Sequence, residues 1–127
     1  MDRAGLEKYI SDMYGVDAEY PWVDSPDSAV FRHAGNRKWF AIAMRVGADK
    51  LGLPAGKAVD VVNVKCDPVL TGVLRQEKGF YPAYHMNKTH WITIALDDSA
   101  DEEKLLWLLE NSFRMTGAGK RRTAEKA

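Results

Sequence analysis

Residues 61–74 read VVNVKCDPVLTGVL, and the joint inside that stretch decides the fold. Residues 61–66 are rich in β-branched side chains, the composition of a strand. The strand runs into Asp67-Pro68. Aspartate is a favoured helix N-cap and proline is preset for the first helical position, so the chain is expected to pass from strand to helix at once. Leu70, Val73 and Leu74 supply that helix with an apolar stripe, and Gly79 closes it.

Upstream, Leu6, Tyr9, Ile10 and Met13 recur at helical spacing ahead of Gly15, which predicts an N-terminal amphipathic helix. AEYPW (18–22) reads as extended, because Pro21 forbids helix and biases Tyr20 toward β geometry. AVFRHAGNRKWFAIAMRV (29–46) reads as a hairpin whose turn lies at residues 34–37, around Gly35 and Asn36. KLGLPAGKA (50–58) is a loop. Downstream, FYPAYHM (80–86) is extended, NKTH (87–90) is a turn or strand entry, and WITIAL (91–96) is a strand. Ser99 with Glu102 makes a capping box, and a last helix carries Leu105, Leu106, Leu108, Leu109 and Phe113.

The expected fold is therefore α+β: a two-layer domain with an antiparallel β-sheet flanked by helices, in the order α-β-β-β-β-α-β-β-α. Residues 1–116 form the single domain. From Gly117 the hydrophobic pattern stops, and residues 117–127, with Lys120, Arg121 and Arg122, are expected to be a basic, disordered tail.

Composition bounds the function. The chain has 127 residues, 46% of them hydrophobic, enough for one ordinary core. Its formal net charge is zero, so no global basicity announces nucleic acid or an anionic membrane. The single cysteine, Cys66, allows no intramolecular disulfide, as suits a reducing compartment. The charged start MDRAGLEKYISDMYG is unlike a signal peptide, and no apolar run is long enough to span a bilayer. A cytoplasmic protein with no membrane association is expected, as a monomer or weak dimer.

Strand alternation sorts side chains into two faces. Phe40, Ile42, Met44, Val46, Val62, Val64, Cys66, Ile92, Ile94 and Leu96 are assigned to the core beneath the helices. Trp39, Arg45, Asn63, Lys65, Trp91 and Thr93 fall on the opposite, outer face. That combination could stack bases and hold phosphates. The cheaper reading of the same pattern is a solvent face on which tryptophans cover lysine stems.

HMNKTHW (85–91) is the densest chemical stretch in the chain. His85 and His90 are five residues apart, which is not the four-residue helical spacing of a two-histidine zinc motif, and no second thiol is near. No metal or other cofactor is therefore expected. Cys66 precedes a helix N-terminus but reads as buried, and no nucleophile elbow or phosphate-cradling glycine loop occurs. No catalytic residue is assigned, and the chain is read as non-enzymatic. His85, Asn87, Lys88 and His90 are instead donors suited to phosphates and base edges, lying beside Trp91 and Lys65.

VNVKCDPVLTGVLR together with YPAYHMNKTHWITIALDDSADEEKLLWLLENSF resembles the MmcQ/YjbR family of small bacterial proteins, over residues 4–116. YPW and VFRHAGNRKWFAIAM fit its N-terminal half. The resemblance implies a CyaY/frataxin-like fold and a DNA-binding role attributed to paired wings. The family motif falls on Lys65, Cys66, Asp67, Pro68, Tyr84, His85, Asn87, Lys88, His90 and Trp91, with Thr89 where relatives often carry a second basic residue. Frataxin-like iron binding is not carried over, because Asp2, Glu7 and Asp12 are mixed with Arg3 and Lys8 on the first helix. The expected partner is DNA, with RNA possible, contacted through Lys65, His85, Asn87, Lys88, His90, Trp91, Trp39 and Arg45. The alternative is a module whose outer face binds a peptide or small ligand, for instance in a neutral pocket formed by Trp91, Tyr84 and His85.

Overall fold

The computed structural model describes residues 1–117. Helix α1 (Arg3–Tyr14) is followed by strands β1 (Ala29–Arg32) and β2 (Trp39–Gly47), a 3-10 turn (Ala48–Leu51) and β3 (Ala58–Lys65). Then come α2 (Pro68–Leu74), β4 (Phe80–Pro82), β5 (Trp91–Ala95) and α3 (Glu102–Thr116). The five strands form one antiparallel sheet in the order β1-β2-β3-β5-β4. This is the predicted α+β fold with one strand fewer before α2. AEYPW contributes only an isolated bridge, Glu19 to Val30, since Pro21 has no N–H with which to continue a ladder. The basic stretch at residues 120–122 lies outside the described residues.

The strand-to-helix joint forms as the sequence predicts. The Asp67 carboxylate accepts from Val69 N at 2.8 Å, and Pro68 opens α2. That helix ends at Leu74, before Gly79. Gly79 serves the entry to β4 instead: its φ is +89°, and a Cβ there would stand 2.5 Å from the backbone nitrogen of Ala100. The predicted capping box at Ser99 does not form. Asp101 caps α3 through Lys104 N at 3.0 Å, whereas Ser99 bonds Asp97.

One bulge rewrites the predicted faces. β1 pairs Phe31 with Ala41 and Arg32 with Trp39, which leaves Phe40 as an extra residue in β2. Phe40, Ala41 and Ala43 therefore pack under the helices with Val62, Val64, Ile92, Ile94 and side chains of all three helices. Ile42, Met44 and Val46, assigned to that core by simple alternation, lie on the opposite face with Val30 and Val61. β2 and β3 are paired only from Ala41–Val64 onward, so Phe40 and Lys65 have no ladder bond between them. Ser112 of α3 fills the gap. Its hydroxyl donates to Phe40 O at 2.6 Å and accepts from Lys65 N at 2.9 Å. A helix hydroxyl thus satisfies both backbone groups orphaned by the bulge.

Candidate functional site

The outer face of the sheet is not an open platform. Asn63 and Thr93, predicted to face solvent there, are fully buried. Thr93 Oγ1 donates to Asn63 Oδ1 across the β3–β5 pair. Asn63 Nδ2 donates to Tyr84 O at 2.9 Å, and Tyr84 N donates to Thr93 Oγ1 at 2.9 Å. This closed ring straps the connection between β4 and β5 over the sheet. Tyr84 and Met86 then cover Val30, Ile42, Met44, Val46 and Val61, giving the sheet a second, smaller apolar core.

The 85–91 segment is a tied turn. Asn87 Oδ1 accepts from Thr89 N at 2.8 Å and His90 N at 3.1 Å, and Asn87 O accepts from Trp91 N at 3.0 Å. Lys88 Nζ donates to Ala83 O at 2.8 Å, while Lys88 O accepts from Arg75 at 2.8 Å. Cys66 N reaches His90 O at 2.8 Å and docks the turn onto the end of β3. His85 adopts φ +62°, which folds its ring against Tyr84 with centroids 3.9 Å apart. Asn87 thus bonds the turn's own backbone, Lys88 ties it to Ala83 just upstream, and His85 and His90 are exposed on its surface. Among the described residues no three His, Cys, Asp or Glu side chains converge on a common point. Cys66 is buried, and burial with the Asp67 charge pushes its thiol up to about 11, far from a reactive thiolate.

The eight predicted site residues separate into distinct places. Trp39, Lys65 and Trp91 come together in a shallow groove of about 400 Å³ where β2 and β5 begin and β3 ends, with Lys65 and Trp91 direct cross-strand partners. Arg37, Lys38 and Thr116 complete the groove. Arg37 and Lys38 were missed from the sequence because the hairpin turn was read only as a turn. Their place directly before Trp39 was the available clue. Arg37 sits at φ +63° and reaches Glu19 at 3.1 Å, and Arg32 lies over the Trp39 ring at 5.7 Å. Lys38 and Lys65 make no ion pair among the described residues.

Arg45 is elsewhere, 3.3 Å from Asp60. It lines a second cavity of about 410 Å³ with Trp22, Trp39, Met44, Tyr84 and His85. Tyr84 and His85 share this cleft with Trp39 and Trp22, whereas Trp91, expected beside them, lies in the groove. Among the described residues, Trp39 alone borders both the cationic groove and the apolar cleft.

This fold and these two surface depressions define a small α+β sheet domain in which one strapped sheet face carries the candidate chemistry. The chain belongs to the YjbR family, whose model matches residues 11–115. It is 37% identical to the uncharacterised protein YyaQ of Bacillus subtilis, over 91% of this chain and 98% of that one. It is 35% identical to the uncharacterised protein YjbR of Escherichia coli over 54 residues, 42% of this chain and 46% of that one. A crystal structure of a Pseudomonas syringae protein superposes with a TM-score of 0.90 at 43% identity, covering 92% of this chain and all of that one. A Deinococcus radiodurans protein at 22% identity and TM-score 0.69, covering 98% of this chain and 84% of that one, shares the fold. No helix among the described residues is long and apolar enough to cross a membrane.

Proposed function

We propose that this chain is a non-enzymatic DNA-binding protein and that its contact surface is the groove between Lys38, Lys65, Trp39 and Trp91. One observation carries this reading. Three cationic side chains flank two indole rings at one end of the sheet, and among the described residues no carboxylate lines the groove. Lysines on the rim would neutralise phosphates, and the indole faces would support a base or sugar by stacking. The Ser112 bridge holds the Lys65 backbone in place, so part of the surface is preorganised. In this reading the 85–91 turn acts by placing Trp91, while His85 and His90 stand on its exposed side.

A fluorescence-anisotropy titration at low salt tests the proposal with single-stranded DNA, duplex DNA and RNA of one sequence. Wild type is compared with a Lys38→Ala/Lys65→Ala double variant. Binding of DNA with a log K against log salt slope reduced by about 2 in the variant is expected. No binding at low salt, or a slope unchanged by the variant, overturns it. Binding of RNA alone would reassign the groove's partner.

A further inference from the structure

We infer that the cleft beside Trp39 is a separate binding site for a small planar aromatic carboxylate. The cleft holds about 410 Å³, within the range of small-molecule sites. Its floor is buried aliphatic surface from Ile42, Met44 and Val46. Two walls are aromatic. Trp22 and Trp39 meet edge to face at 5.6 Å and 89°, and Tyr84 and His85 lie with ring centroids 3.9 Å apart. Flat rings between such walls select a flat apolar body.

The polar lining is one-sided. Arg45, His85, Trp22, Trp39, Tyr84, Ser25 and Ser28 line the cleft, each with a polar donor group, and among the described residues no Asp or Glu does. Ser25 and Ser28 bond each other at 2.6 Å, a contact that uses one of their two hydroxyl hydrogens. Arg45 gives one nitrogen to Asp60 at 3.3 Å, leaving further guanidinium N–H groups for an anion. Among the described residues Asp60 is thus the one carboxylate competing for Arg45, and the remaining donors complement an acceptor-bearing, anionic ligand.

The Tyr84 wall is also fixed in advance. The buried Asn63–Thr93 ring holds its backbone from both sides. His85 is held in the left-handed region, a conformation a non-glycine residue adopts only when its surroundings fix it. Met44 and Met86 supply adaptable surface at the bottom and rim. The cleft shares Trp39 with the groove but none of its lysines, so it does not depend on DNA binding.

The test is an NMR titration with 2-naphthoate and its neutral counterpart 2-naphthamide, reading the four tryptophan indole N–H signals. Saturable shifts of Trp22 and Trp39 with Trp107 unmoved are expected, with naphthoate bound about tenfold tighter than the amide. Arg45 is half exposed, so Arg45→Gln should fold as wild type and abolish that tenfold preference while still binding the amide. Lys65→Ala should leave naphthoate affinity unchanged. Absence of saturable shifts at Trp22 and Trp39, parallel movement of Trp107, or a preference that survives Arg45→Gln would each overturn the inference.

Discussion

Thr93 donates its hydroxyl to Asn63 across two neighbouring strands, and both side chains are fully buried. Sequence alternation places this pair on an outer face available for ligands. In the folded protein they hold the backbone of Tyr84 instead. Asn63→Ala should cost about 2–3 kcal/mol, because it strands Tyr84 O and the Thr93 hydroxyl together. Thr93→Val should cost about 1–2 kcal/mol. Urea denaturation of the single and double variants should show losses that do not sum, since both remove the same ring.

Ser112 should matter more than a helix serine ordinarily does. Ser112→Ala leaves Phe40 O and Lys65 N without their partner at the bulge, at an expected cost of about 2–3 kcal/mol. Hydrogen exchange at the Lys65 amide should rise by more than the global loss of stability accounts for. Equal changes at all core amides would show that the bulge holds without the bridge.

Two lysines from the same family motif should behave differently. Lys65→Ala should reduce the salt dependence of DNA binding by about 1 and leave stability nearly unchanged. Lys88 Nζ is engaged with Ala83 O, so Lys88→Ala should instead lower stability by about 1 kcal/mol and leave the salt slope alone. Paired titration and denaturation measurements separate the two roles.

Stability should fall on mild acidification through His33. Its ring packs on Phe113 and Phe40, with centroids 4.3 and 5.2 Å away. Its Nε2 lies 2.8 Å from Thr116 Oγ1, which itself donates to Ser112 O at 2.7 Å, so His33 is the donor. Burial, with Lys38 adding repulsion, lowers its pKa below the ordinary histidine value, although Phe113 O offers some compensation. The unfolded chain therefore binds a proton more readily than the folded one. The stabilisation is complete above about pH 6.5 and is lost as pH falls from there through the lower folded value. Denaturation midpoints at pH 7.5 and 5.0 should differ in wild type and converge in His33→Gln.

Cys66 should resist modification. The residue is 2% exposed, and its thiol is raised to about 11 by burial and by Asp67, so little thiolate exists at pH 8. Ellman's reagent should leave the native protein unlabelled over the time in which it fully labels protein in guanidinium. Rapid native labelling would place Cys66 at an accessible surface.

Local codes made much of the fold legible. The strand-to-helix joint at Asp67-Pro68, the helical period of α1 and α3, and the strand alternation of β3 and β5 each depend on residues adjacent in sequence. The face of β2 was not legible, because one extra residue at Phe40 reverses a period-two pattern without altering its composition. Thr116 entered the groove unpredicted, brought there by the packing of α3 on the sheet.

The sequence by itself determined that a helix-flanked antiparallel sheet would form, and its motifs carried the family. Periodicity, capping and turn chemistry are short-range properties, and they suffice for that. Only the tertiary structure decided which polar residues are free to act. Asn63 and Thr93 look like ligand contacts in the chain, but both are buried and hold the Tyr84 backbone, while the exposed Asn87 and Lys88 also hydrogen-bond local backbone. Lys38, Lys65, Trp39 and Trp91 come together because a bulge and strand pairing bring distant residues to one end of the sheet. Hydrogen-bond satisfaction is settled in three dimensions, so the division between scaffold and candidate site is written there.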